Sequence, residues 1–209
     1  ATLIDALSLT FDYFVKKTNG ILRQITIPGY VGVSDQPWAN IADMENRGIE
    51  VEMGYRHRFG DLNFGVNGNF SYLKNEVTFV ASDANFINGD AGFQTMATTT
   101  RIQVSHPYNT FFGFQTAGII QNQAEIDAYR NKDGGLIQPN AKPGDFRWVD
   151  QNGDGKITLD DRTFLGNPNP DFTAGLNIAA SYKNFDFSMF LYTSVGNEVI
   201  NYVRYWTDF

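Results

Sequence analysis

The stretch from Arg47 to Tyr72, RGIEVEMGYRHRFGDLNFGVNGNFSY, decides the fold class. Ile49, Val51, Met53 and Tyr55 alternate with Glu50, Glu52, Gly54 and Arg56. After Phe59-Gly60-Asp61 the alternation resumes, with Leu62, Phe64, Val66, Gly68, Phe70 and Tyr72 set against Asn63, Gly65, Asn67, Asn69 and Ser71. A period of two places each set on its own face of a strand, and a short Gly-Asp break between two such runs is a hairpin signal. The sequence therefore predicts two long antiparallel strands, about Arg47 to Phe59 and Leu62 to Tyr72, each with one apolar and one polar or small-residue face.

Three further segments carry the same pattern. From about Ala6 to Lys17, Leu7, Leu9, Phe11, Tyr13 and Val15 oppose Ser8, Thr10, Asp12, Phe14 and Lys16. Phe172, Ala174, Leu176, Ile178 and Ala180 oppose Thr173, Gly175, Asn177, Ala179 and Ser181. Phe185, Phe187, Met189 and Leu191 oppose Asp186, Ser188, Phe190 and Tyr192, after a tight turn at Tyr182-Lys183-Asn184. Composition agrees: 18 Phe and 10 Tyr favour strands, 20 Gly favour turns, and helical periodicity is nearly absent.

The connections alternate between very short and very long. In an antiparallel meander this puts the tight turns at one end and the long loops at the other. Long strands with that asymmetry are the plan of an outer-membrane barrel, whose apolar face meets lipid and whose polar face lines a wet lumen. A soluble sandwich, with its apolar face turned inward, shows the same alternation. Strand length leans towards the barrel, because a tilted membrane strand needs about nine to eleven residues and sandwich strands run to about five or six. Five strands cannot close a membrane barrel, so on the barrel reading residues 1–209 are an internal stretch of a larger one.

The chain carries a net charge of −7 and no Cys. The first argues against nucleic acid as a partner, and the second excludes disulfides and thiolate zinc sites. No apolar run is long enough for a membrane-spanning helix.

Between strands three and four lies an insert, residues 74–169. It includes a possible short strand at Thr78-Phe79-Val80, an aromatic cluster at Phe111-Phe112-Gly113-Phe114, and a helical turn or two over Gln123–Tyr129. It also carries one sharp motif, DQNGDGKITLDD, Asp150 to Asp161. This fits the twelve-residue calcium loop: Asp150, Asn152 and Asp154 at positions one, three and five, Gly155 at six, the Lys156 carbonyl at seven, Thr158 at nine and Asp161 at twelve. Hard oxygen donors in this number select Ca²⁺. Asp161 is a carbon shorter than the usual Glu, so the loop must tighten or ligate more weakly. No long helix flanks it, and the expected role is a structural staple that fixes a long surface loop.

No catalytic constellation is found, and the chain is not read as an enzyme. His57 and His106 fall in a strand and a loop. Glu50 and Glu52 share a face with Arg56 and Arg58, which reads as a solvated charged stripe. Trp38, Trp148 and Trp206 fall outside the strands and read as packing anchors.

The run Gly144-Asp145-Phe146-Arg147-Trp148-Val149 leading into the Asp150–Asp161 loop, then Arg162-Thr163 and Gly166-Asn167-Pro168-Asn169-Pro170-Asp171-Phe172, resembles the signature of SusC/RagA-like TonB-dependent outer-membrane transporters. Asp12–Thr18, Asn46–Glu50, Phe112–Phe114 with Gly118–Gln121, and Ser181–Asp186 resemble further family segments in the same order. The resemblance implies a stretch of a large, plugged, antiparallel transmembrane β-barrel in the outer membrane of a Gram-negative, Bacteroidetes-type bacterium. No counterpart of the plug domain is present. It also implies import of oligosaccharides or peptides, a SusD-like surface lipoprotein as lid, TonB acting through the plug, and contact with outer-membrane lipid. The long loops are then extracellular. The alternative carried forward is a soluble or surface-attached calcium-dependent β-sandwich binding module of lectin or adhesin type.

Overall fold

The computed structural model describes residues 2–4, 6–25, 37–89, 98–201 and 203–207. In chain order its elements are β1 (Thr2–Ile4), β2 (Leu7–Gln24), β3 (Trp38–Phe59), β4 (Leu62–Val80), β5 (Phe86–Asn88), β6 (Thr100–Gln103), β7 (Thr110–Phe114), β8 (Thr116–Ile119), α1 (Gln123–Ala128), β9 (Phe146–Trp148), β10 (Arg162–Gly166), β11 (Phe172–Tyr182), β12 (Phe185–Val195) and α2 (Val203–Thr207). The chain is all-β, and among the described residues its two α-helices are only six and five residues long.

Two compact units divide it, one of residues 1–87, 102–109 and 167–209, the other of residues 88–101 and 110–166. The first is built on a six-stranded sheet in the order β1-β2-β3-β4-β11-β12, antiparallel at every pairing. The five alternating segments are its five long strands. Both tight turns form where expected, with positive φ at Gly60 (62°) and at Lys183 (52°), as a two-residue hairpin requires.

The register is continuous across the sheet and sorts the side chains as the alternation predicts. Leu9 lies opposite Met53, Met53 opposite Gly68, Gly68 opposite Leu176 and Leu176 opposite Leu191. One residue along, Thr10, Glu52, Asn69, Gly175 and Tyr192 form the neighbouring row. Since successive side chains point to opposite faces, the apolar rows share one face and the polar rows the other.

Three boundaries differ from the sequence reading. β2 runs on to Gln24, β3 begins at Trp38, and β4 continues to Val80. Residues 74–80 therefore belong to the sheet and not to the insert, and Thr78-Phe79-Val80 is the end of a long strand. Trp38 opens β3 and Trp148 closes β9, so neither lies outside the strands; the side chain of Trp206 falls outside the described residues.

The physical reason is visible in the extensions. The pairing is broken between Thr18 and Leu22 and again between Asp43 and Met44. At the first irregularity Gly20 takes φ +67° and donates its N–H to the Asp43 carboxylate at 2.7 Å. Each bulge shifts the phase of the alternation, so a strict period of two ends there while the strand does not. Beyond the bulges the sheet gains a core of its own. Ile41, Ala42, Val77, Val80 and Ile102 are buried, with Ile21, Ala39, Ile87, Val104 and Tyr108 packed against them. The segment after β6 returns along β4, exchanging Val77 N–H to His106 C=O and Ser105 N–H to Val77 C=O. Asn75 locks this edge, accepting the Tyr108 N–H and donating to the Asn46 amide oxygen, both at 2.7 Å. Burial there pushes the His106 imidazole pKa down.

The second unit holds β7, paired with β10 and with residues 100–101 at the start of β6, and the β8-β9 pair. The Phe111–Phe114 cluster lies on β7, where Phe112 is buried edge-on to Phe164 and beneath the Arg101 guanidinium, 3.4 Å from the ring centre. α1 forms over Gln123–Ala128, its Asn122 cap accepting the Glu125 N–H.

Candidate functional site

Two features have functional chemistry: the faces of the large sheet, and the loop from Asp150 to Asp161. On the apolar face Phe11, Tyr13, Met53, Phe187 and Leu191 are each more than half exposed, at 62, 63, 53, 56 and 51%. Val15, Phe59, Phe70, Tyr72 and Phe185 belong to the same exposed face. In a soluble sandwich these side chains are what the second sheet covers. An apolar surface this extensive marks contact with an apolar partner or solvent. From Phe59 to Ile49 the band is ten residue steps long; at ~3.3 Å per residue and a ~45° tilt it is about 23 Å tall, near the ~25 Å apolar belt of outer-membrane barrels.

The opposite face is mostly polar and small, with Phe14, Phe190 and Tyr192 as its large aromatic members. Arg56, Arg58, Asn63, Asn67, Asn177 and Ser181 line a cleft along it. Hydrogen bonds cross the strands there, from Asn63 Nδ2 to Ser181 Oγ at 3.3 Å and from Ser71 Oγ to Glu50 Oε1 at 3.5 Å. Glu50 and Glu52 share this face with Arg56 and Arg58, and His57 lies on β3 between Tyr55 and Phe59 with its ring against both.

In the loop, the backbone bends as the motif requires. Gly153 and Gly155 take φ +74° and +83°. The Asp150 carboxylate accepts the N–H of Gly153 and of Gly155, both at 2.8 Å; Asn152 Oδ1 accepts from Asp154, and Asp154 Oδ1 from Lys156. These nested turns gather the side-chain oxygens of positions one, three and five along one short curve. Lys156 is exposed, as expected for a residue offering only its carbonyl.

Asp161 has a different setting from a ligand open to the loop. It is fully buried, with one oxygen accepting the Gln151 N–H at 2.9 Å and the other the Thr158 N–H at 2.6 Å and hydroxyl at 3.4 Å. With Thr158 as N-cap it closes a capping box on the 3₁₀ turn Leu159–Asp161. Burial opposes ionisation of this carboxyl, but the N–H groups of Thr158, Gln151 and Asn152 outweigh it and hold its pKa below the ordinary range.

The fit to a cation is thus of donor type and backbone shape. Among the described residues, no three acidic, His or Cys side chains meet closely enough to hold a metal ion between them. A hard cation here depends equally on the neutral oxygens of Asn152, Lys156 and Thr158.

Two residues that sequence reasoning passed over hold the loop in place. The Tyr129 hydroxyl donates to the Trp148 carbonyl at 2.7 Å and accepts the Asp150 N–H at 3.3 Å. Asn131 accepts the N–H groups of Asp133 and Gly135, and its side chain lies so close to Gly155 that a Cβ there would meet it at 2.6 Å. The Asn131-Lys132-Asp133-Gly134-Gly135 run is a turn signal that was available in the sequence.

No family model matches the chain. It is 34% identical over 200 residues to TonB-dependent receptor P3 of Formosa agariphila, an alignment covering 94% of this chain and 19% of that protein. To TonB-dependent receptor P26 of the same organism it is 34% identical, covering 91% and 18%. To TonB-dependent receptor SusC of Bacteroides thetaiotaomicron it is 27% identical, covering 90% and 17%. The chain therefore spans about a fifth of the length of these relatives. Among solved structures, the RagAB peptide transporter superposes with a TM-score of 0.72 at 22% identity, over 98% of this chain and 21% of that one. The fold is accordingly that of an antiparallel transmembrane-barrel wall.

Proposed function

We infer the function from the premise that this chain is a homologue, over nine-tenths of its length, of SusC-type TonB-dependent receptors: it forms part of the wall and outer loops of an outer-membrane active transporter. The observation that carries this reading is the exposed apolar face on strands long enough to cross a bilayer, backed by a polar face of Asn, Gly and Ser. Its contribution to transport is wall, lumen lining and surface loop, with no covalent chemistry. β12 is exposed along its whole length and pairs, among the described residues, with β11 alone, which suits a sheet that continues into further strands. The finer reading is import of oligosaccharides or peptides beneath a SusD-like lipoprotein lid, energised by TonB through a plug. It is supported by the likeness to SusC and other TonB-dependent receptors, and by the shared fold with RagAB, itself a peptide transporter.

The polypeptide recovered from native outer membranes is expected to need detergent for extraction. Its denatured mass should be several times 23.5 kDa. A detergent-free soluble protein near 23.5 kDa would replace this reading with the calcium-dependent sandwich module.

The Asp150–Asp161 loop is proposed to take up Ca²⁺, held by the side chains of Asp150, Asn152, Asp154, Thr158 and Asp161 and the Lys156 carbonyl. The ion would supply charge neutralisation and loop rigidity. With chelator, or with Asp150→Ala and Asp154→Ala together, residues 140–165 are expected to open to protease while the strands stay protected. Equal protease resistance with and without Ca²⁺ would show that the Asp161 cap closes the loop alone, and the calcium assignment falls.

A further inference from the structure

On the lipid-type face, immediately beyond the apolar band, the rows change character. Following Ile49 towards the long-loop end, the next residues on the same face are Arg47 and Glu45. Opposite them on β4 stand Lys74 and Glu76, and opposite Glu45 on β2 stands Lys17. These five side chains form one ladder: Lys17 to Glu45 at 3.5 Å, Arg47 to Glu45 at 3.8 Å, Arg47 to Glu76 at 3.3 Å and Lys74 to Glu76 at 3.0 Å.

Three properties make it more than a solvated stripe. The first is height. Arg47 and Lys74 stand one period above Ile49 and Tyr72; at ~3.4 Å per residue and ~45° tilt that is about 5 Å, inside the headgroup layer that flanks the hydrocarbon core. The second is charge. Three cations face two carboxylates in a chain whose net charge is −7, so the ladder carries a local positive excess against the trend of the molecule. The third is unused capacity. Lys17, Arg47 and Lys74 are 69, 46 and 53% exposed, and an ammonium has three N–H donors and a guanidinium five. Ion pairs this exposed are weak and leave those donors available to a second anion.

What covers this surface is set by its continuity with the apolar band. The lipids whose chains cover Phe11, Tyr13, Val51 and Phe70 place their headgroups on Lys17, Arg47 and Lys74. At the long-loop end, the extracellular side of such barrels, those lipids belong to the outer leaflet, and in Gram-negative outer membranes they are phosphorylated glycolipids. We propose that the Lys17–Glu45–Arg47–Glu76–Lys74 ladder is a docking site for the phosphate groups of outer-leaflet glycolipid, which fixes the height and tilt of this part of the wall. Arg47 offers its planar fork to phosphate, and Lys17 and Lys74 act as flanking point charges. The proposal rests on the transporter reading above.

The test uses the full-length polypeptide that carries this segment, purified in mild detergent, with bound lipid counted by native mass spectrometry. Wild-type protein is expected to retain lipid A bearing phosphate at least tenfold better than lipid A stripped of phosphate, an arm that needs no mutation. Lys17→Glu, Arg47→Glu and Lys74→Glu together should abolish that preference, as should the milder Lys17→Gln with Lys74→Gln to a smaller extent. Lys183→Glu, at the opposite end of the sheet, should leave it intact. Equal retention of both lipids by wild type, or an unchanged preference in the triple variant, would overturn the proposal. So would displacement of the lipid by an equal concentration of inorganic phosphate, which would make the ladder a free-anion site. Failure of the underlying reading looks different: a protein that never partitions with outer membranes has no lipid preference to measure.

Discussion

Replacing Asp161 by Ala is expected to open the loop from Gln151 to Arg162 and to cost about 2–4 kcal/mol of local stability, since two short charge-assisted hydrogen bonds to part-buried donors are lost. The Thr158 hydroxyl and the capping box on Leu159–Asp161 go with them. Asp161→Asn keeps one acceptor oxygen and should cost roughly half as much. Hydrogen exchange at the Gln151 and Thr158 amides reads this directly, and protection unchanged in the Ala variant would refute the cap. The sign with pH follows from the lowered pKa. The stabilisation is complete above the ordinary carboxylate range and disappears as pH falls through the lowered value of the folded state.

The second large effect is on the sheet. Met53 stands mid-band on the apolar face, between Leu9 and Gly68, and is 53% exposed. Met53→Arg is expected to destabilise the membrane-inserted protein by about 2–4 kcal/mol, the cost of a cation at the bilayer midplane on a barrel strand. Asn69→Arg, one row away on the opposite face, should cost little because that face is wet. The midpoint of unfolding from lipid vesicles measures both. Equal penalties for the two would mean that the faces do not divide lipid from lumen.

How far the sequence could be read followed the membrane. Within the band, lipid on one side and water on the other impose a strict alternation. There the five long strands, both hairpin turns and the alternation over Leu7 to Val15, Ile49 to Arg56 and Leu62 to Tyr72 were legible. Above Arg47 and Tyr72 that constraint ends. Lys74, Asn75 and Glu76 interrupt the apolar rows, and bulges at Gly20 and Asp43 shift the phase. Ile41, Val77 and Val80 then pack a core with Ile102, a residue far along the chain that no local pattern connects to them. The loop was legible in its glycines and in the Asp150, Asn152 and Asp154 oxygens, which are local. Position twelve read as a ligand; that its carboxylate also caps the turn depends on the Gln151 and Thr158 amides converging, a property of the folded loop. Tyr129 was missed because nothing near it in sequence announces that its hydroxyl bridges Trp148 and Asp150.

β4 and β11 are neighbours in the sheet, yet residues 81–171 separate them. Chain closure depends only weakly on length, about 0.6 kcal/mol for each doubling, so residues 110–166 can grow or shrink at small cost to the pairing. Within the 81–171 stretch, residues 88–101 and 110–166 form a compact unit with a bonding network of its own, whereas residues 102–109 pack with the sheet. That unit is in this sense a cassette carried between two hairpins, whose register does not depend on its length.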